Sequence, residues 1–188
     1  VGTDDTKTNI LRFCQQVDRS LAAELAQERA PLVVAAVDYL WPIYREANSY
    51  AGLIEEGVAG NPEGLSPDEL KERAWEIVEP HFEQTRETAA SRYRELKHTG
   101  KVSHELKEVV PAAYHGRIDV LFVAVGLQSW GSYEPATGDL LLYPEAMAGA
   151  EDLLDFAAVH TLIQDGTVFA LDPETVPDGP PVAAVFRY

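Results

Sequence analysis

The chain has 188 residues, 46% of them hydrophobic, and a formal net charge of −16. That length suffices for one full domain and part of another, while 15 basic residues dispersed among 31 acidic ones form no cluster that would hold phosphates, which argues against generic nucleic-acid binding. No stretch of about twenty apolar residues occurs, so no membrane span is predicted, and the lone cysteine, Cys14, fits a cytoplasmic setting.

The opening run Val1-Gly-Thr-Asp-Asp-Thr-Lys-Thr-Asn9 has no apolar face and no initiator Met, and the chain reads as the back part of something longer. Residues 10–27 set Ile10, Leu11, Cys14, Val17, Leu21 and Leu25 at helical spacing, with Arg, Gln and Asp assigned to the opposite face. On that apolar face Cys14 reads as a buried structural thiol in preference to a reactive one. Ala30-Pro31 breaks the helix, and the unalternating run Leu32-Val-Val-Ala-Ala-Val37 predicts a buried strand of a parallel or mixed sheet. A short helix over residues 39–48 leaves the strand end, and residues 52–60 hold one more short element.

Gly60-Asn61-Pro62-Glu63-Gly64 is the clearest breaker in the chain. Directly after it Ser66-Pro67-Asp68-Glu69 predicts a capped helix start, with Leu70, Ala74, Ile77 and Val78 on one face and a kink or break at Pro80. Gly100 ends that segment. A helix over residues 103–116, a core strand over 119–125 and a hairpin over 130–142 follow, turning through Pro135-Ala-Thr-Gly-Asp139. A helix over 152–164, a strand over 167–171 and the terminal strand Pro181-Val-Ala-Ala-Val-Phe-Arg-Tyr188 complete a C-terminal domain. Alternating strands and helices imply an α/β sheet covered on both faces.

The chemistry motifs are mostly absent. There is no phosphate-binding glycine loop, no nucleophile elbow, no His-Glu-x-x-His and no cysteine pair, and His81, His98, His104, His115 and His160 are scattered. No metal and no cofactor is predicted. Asp38, at the carboxyl end of the first strand, stands where open α/β sheets bind ligands, although a cap or turn role fits an Asp there better. Tyr39, Tyr44, Arg45, Asn48 and Tyr50 follow within one short stretch. Tyr and Arg are enriched in binding hot spots, so these five are the candidate partner-binding residues; simple packing of the short helix, with Trp41 and Tyr44 against the sheet, is the competing reading.

Five segments in this order resemble the archaeo-eukaryotic peptide-chain release factor and Pelota superfamily, in particular its bacterial branch. They are Leu11-Arg-Phe-Cys-Gln-Gln-Val-Asp-Arg-Ser-Leu21, Ala30-Pro-Leu-Val-Val-Ala-Ala-Val-Asp-Tyr39, Gly60-Asn-Pro-Glu-Gly-Leu-Ser-Pro-Asp-Glu-Leu70, Ala112-Ala-Tyr-His-Gly-Arg-Ile-Asp-Val-Leu-Phe-Val123 and Ala183-Ala-Val-Phe-Arg-Tyr188. The resemblance implies an α/β fold with two parts. Residues 63–188 would be a C-terminal three-layer α/β/α domain like the kink-turn-binding ribosomal proteins, and residues 1–62 the rear part of a ribonuclease-H-like central α/β domain.

Release factors of that superfamily carry a Gly-Gly-Gln loop that reaches the peptidyl-transferase centre. No Gly-Gly-Gln occurs in this chain, and its place would precede Ile10, so peptidyl-tRNA hydrolysis is assigned to no residue here. The C-terminal domain of the superfamily contacts a translational GTPase or other partners. The resemblance thus implies a ribosome-associated protein acting in termination, rescue or hibernation through contacts with the ribosome or translation-associated proteins, without catalysis by these residues. The alternatives are a hydrolase with a site near Asp38 completed by a preceding segment, and an α/β interaction module unrelated to ribosomes.

Overall fold

The structure is a computed structural model that describes residues 2–28 and 30–188, with side chains from residue 5 onward; Val1 and Arg29 lie outside the described residues. The fold is mixed α/β with several small sheets. The chain divides into two compact units, one up to Gln84 and the other Thr85–Tyr188.

The first unit opens with helix α1, Gly2–Glu24. It starts eight residues before the expected Ile10, because the polar residues 5–9 extend the helix as solvent-facing positions that leave no periodic signal. Asp18 also departs from expectation. It lies four residues after Cys14, on the inner face, and is buried along with it.

Strand β1, Ala35–Ala36, pairs in parallel with β2, Val58–Ala59, and Leu32 bridges Leu53 in the same sense. The apolar run is thus a short, half-buried strand rather than a fully buried one: its residues have a single neighbouring strand among the described residues. Between the two strands runs helix α2, Trp41–Ala47.

Helix α3, Pro67–Leu96, begins on the expected capping box, in which Ser66 and Glu69 exchange hydrogen bonds of 2.8 and 3.3 Å through backbone and side chain. No break occurs at Pro80. The proline deprives the Glu76 carbonyl of its helical donor, but Glu76 is exposed, so water can take that place and the helix continues.

In the second unit the sheet order is β3-β9-β4-β8, formed by β3 (Val102–Ser103), β4 (Ile118–Ala124), β8 (Thr167–Leu171) and β9 (Val182–Phe186). Ser103 therefore belongs to a strand, and helix α4 starts later than expected, at Leu106–Tyr114. β4 and β8 are parallel, and β9 runs antiparallel between β3 and β4. Alternate residues of β4 and β9 feed two cores. On one face Leu121, Val182 and Ala184 meet Val109 and Ala113 of α4 and Leu154 and Ala157 of α5 (Leu153–Ile163). On the other, Phe122, Ala183 and Val185 meet Tyr93 near the end of α3, whose ring stands edge-on to Phe122 at 6.3 Å. Each fully buried Val or Leu side chain here contributes about 1.5–3 kcal/mol.

The hairpin of β5 (Trp130–Glu134) and β6 (Asp139–Leu142) forms where expected, and β7 (Glu151–Asp152), which the sequence reading lacked, adds a third strand. Val110, Tyr133 and Leu153 fasten this sheet to the two helices. At Gly131 the approach is close: a Cβ would lie 2.4 Å from the Leu141 carbonyl oxygen and 2.5 Å from Leu153. Asp152 caps α5 by accepting from Leu154 N–H at 3.1 Å and also accepts from Ser129 N–H at 3.0 Å.

Candidate partner-binding segment

Residues 39–50 leave β1 through a turn, form α2 and return along an extended stretch. Pro42 sits in the first turn of α2, where a missing N–H costs nothing, and Ile43 is its buried anchor. The helix stops at Asn48, which takes up an extended conformation while its N–H still donates to the Tyr44 carbonyl.

The five candidate residues differ in exposure, Tyr39 and Arg45 being exposed and Tyr44, Asn48 and Tyr50 half-buried. Tyr39 is 65% exposed. Arg45 also faces solvent and pairs with Glu55 at 2.7 Å, an ion pair exposed on both sides. Tyr44 turns inward. Burial pushes its phenol above the ordinary value, and the Asp18 carboxylate and Cys14 act in the same direction. Burial likewise raises the Cys14 thiol, as expected of a structural cysteine.

Asn48 and Tyr50 are ties within the loop. Asn48 Nδ2 donates to the Tyr50 carbonyl at 2.8 Å, and the Tyr50 hydroxyl donates to the Ala30 carbonyl at 2.6 Å. Gly52 is required beside them, since a Cβ there would meet the Tyr50 ring at 2.5 Å and the Ala30 oxygen at 2.8 Å. Tyr44, Asn48 and Tyr50 therefore hold the shape on which Tyr39 and Arg45 are displayed.

The residue that sequence reasoning passed over is Asp18. Its Oδ1 accepts from Ser49 N–H at 2.9 Å and its Oδ2 from the Ser49 hydroxyl at 2.7 Å, which fixes the end of α2 to α1. Its place at i+4 from Cys14, and three before Leu21, is the signal that would have found it.

Asp38 is exposed at the end of β1 and borders a pocket of about 230 Å³ whose other lining includes Val34, Ala36, Trp41 and Val58. Among the described residues it is the one charged group on that lining. His115 and His160 both flank the Tyr114 ring, at 5.2 and 5.3 Å, His160 also lies 4.2 Å from the Phe156 ring, and His81 lies beside Phe82. Among the described residues no group of three or more His, Cys, Asp or Glu side chains could hold a metal ion, and no helix is long and apolar enough to cross a membrane.

The family model described as Bacterial archaeo-eukaryotic release factor family 3 matches residues 1–117. Among solved structures, the fold is similar to the C-terminal domain of a peptide chain release factor from Methanosarcina mazei, at 17% identity and a TM-score of 0.51. That match covers 69% of this chain and 96% of the other. It is also similar to archaeal Pelota, from a model of ribosome-bound archaeal Pelota and ABCE1, at 15% identity and a TM-score of 0.53, covering 94% of this chain. The chain spans 49% of that Pelota. No curated protein sequence matches.

Proposed function

The chain belongs to bacterial archaeo-eukaryotic release factor family 3, and on that footing we propose that it works in translation as a ribosome-associated protein, in termination, rescue or hibernation. It acts through contacts with ribosomal or translation-associated proteins, in the cytoplasm, and the residues present carry no catalysis. The observation that carries this reading is the family match over residues 1–117. The surface proposed for contact is Tyr39 and Arg45, with Tyr44, Asn48 and Tyr50 as the residues that hold it in shape.

The domain reading belongs to the same proposal. Residues 1–62 are taken as the rear part of a ribonuclease-H-like central domain and residues 63–188 as a three-layer C-terminal domain like the kink-turn-binding ribosomal proteins. Two observations support it: β1 and β2 form a sheet of their own, and an isolated C-terminal release-factor domain is matched over 96% of its length by 69% of this chain.

Gradient sedimentation of a bacterial lysate containing the tagged protein tests the reading. Co-migration with ribosomal particles, reduced by Arg45→Ala, is expected. Migration with free protein under all growth conditions would remove it. Hydrolysis of an ester or phosphoester substrate that Asp38→Asn abolishes would replace it with the hydrolase alternative.

A further inference from the structure

The first turns of α3 expose an aromatic row that the fold does not use. Asp68, Trp75 and Phe82 recur every seventh residue and so lie along one strip of the helix, with Glu72 and Glu79 on the strip beside it. Trp75 is 52% and Phe82 45% exposed, and their rings stand 6.1 Å apart. The positions that α3 buries in this part are others: Leu70, Ala74, Ile77 and Val78 are half-buried or buried. A shallow groove runs along Asp68, Lys71, Glu72 and Trp75.

Charge decides what can cover this strip. Residues 67–84 contain six acids, Asp68, Glu69, Glu72, Glu76, Glu79 and Glu83, against two bases, Lys71 and Arg73. A nucleic acid would bring its phosphates against carboxylates. A second copy of this chain would bring another −16 to an isologous contact in which the same acids face each other. A protein segment with cations flanking apolar side chains meets neither penalty, and Trp is the side chain most favoured by a cation over its ring.

We propose that this strip is the docking face for a cationic amphipathic protein helix, whose apolar side chains pack on Trp75 and Phe82 and whose Lys or Arg side chains pair with Asp68, Glu72 and Glu79. The surface is separate from residues 39–50, and the inference does not depend on the translational reading.

Calorimetric titration with a synthetic helical peptide of roughly three heptads, Leu at a and d and Arg at e and g, provides the test. One site is expected, weakened on the order of tenfold or more by Trp75→Ala and by Phe82→Ala, and weakened further by added salt. The double variant Glu72→Gln with Glu79→Gln should weaken it in the same direction. Melting temperatures should stay at the parent value throughout, because all four side chains are solvent-facing. Phe13→Ala, at an aromatic 65% exposed on α1, should change nothing. Absence of binding, or equal affinity in the Trp75 and Phe82 variants, would overturn the proposal. So would an RNA duplex that binds in the peptide's stead, or dimerisation of the protein that Trp75→Ala abolishes.

Discussion

Asp18 and Ser49 are joined twice: both carboxylate oxygens of the buried acid accept from the same residue, one from its N–H and one from its hydroxyl. A turn that would otherwise be loose is thereby locked onto α1. Removing the acceptor leaves a partly buried N–H without a partner, so Asp18→Ala is expected to cost about 1–3 kcal/mol, and Ser49→Ala, which keeps the backbone bond, about 1 kcal/mol. Chemical denaturation of the two single variants and the double variant measures the coupling. Strict additivity would show that the pair is not the tie described.

Tyr44 and Arg45 are neighbours in sequence with opposite roles. Tyr44→Ala removes a half-buried ring between α1 and α2, with an expected loss of about 2–3 kcal/mol in denaturant unfolding. Arg45→Ala removes only an exposed ion pair with Glu55 and should change stability by less than about 1 kcal/mol, while lowering recovery of translation-associated partners from lysate. Unchanged recovery with unchanged stability would take Arg45 off the contact surface.

Near the end of α3, Asp178 accepts from Lys97 and from the Tyr93 hydroxyl, and the Lys97 bond above all holds its carboxyl below the usual range. A depressed folded value means that this contribution is present above the unfolded carboxylate pKa and is lost as pH falls through the folded one. Tyr93 has the opposite sign. Burial, aided by Asp178, raises its phenol, so its contribution is present below the unfolded tyrosine value of about 10 and is lost at higher pH. Asp178→Asn should flatten the acid side of a melting-temperature profile, whereas Tyr93→Phe should reduce the alkaline dependence, leaving the part that Tyr44 and Cys14 supply. A parallel shift of the whole profile in both variants would contradict the assignment.

Gly131→Ala should destabilise the second unit by about 1–3 kcal/mol, since the added methyl group must push apart β6 and α5. Thermal unfolding reads this directly, and a neutral result would mean that the hairpin shifts without cost.

At physiological salt the protein should show no measurable affinity for an arbitrary RNA duplex, because dispersed cations among excess acids release few counterions. Tight binding that falls steeply with salt would count against both the charge reading and the acidic docking strip.

Legibility in the sequence followed the strength of local pattern. The Ser66-Pro67-Glu69 start of α3, the apolar strands β4, β8 and β9 and the hairpin at Pro135-Ala-Thr-Gly-Asp139 each combine a periodicity with a punctuating residue, and each appears in the structure where expected. The two-residue strands β3 and β7 hold too few positions for any period to register, and they exist because longer neighbours offer them an edge. Asp18 was hidden by its chemistry, since a carboxylate on an apolar stripe looks like surface until Ser49, far along the chain, supplies its donors. The candidate segment divided for a related reason: composition brings aromatic and basic groups together, but only backbone geometry decides that Tyr50 reaches Ala30 while Arg45 reaches Glu55.

The position of β9 bears on how the chain is made. Residues 182–186 come after every other strand of their sheet in chain order, yet they occupy its middle, with β3 on one side and β4 on the other. Until they emerge, among the described residues β3 has no partner strand, β4 pairs with β8 alone, and α4 and α5 lack Val182 and Ala184 from their core. Closure of this sheet therefore waits for its last strand in chain order and has high contact order, and the nascent second unit must remain in a sticky, incomplete state until then. Slowing elongation between β8 and β9 would lengthen that exposure, making the yield of native protein depend on the rate of synthesis and on holding chaperones.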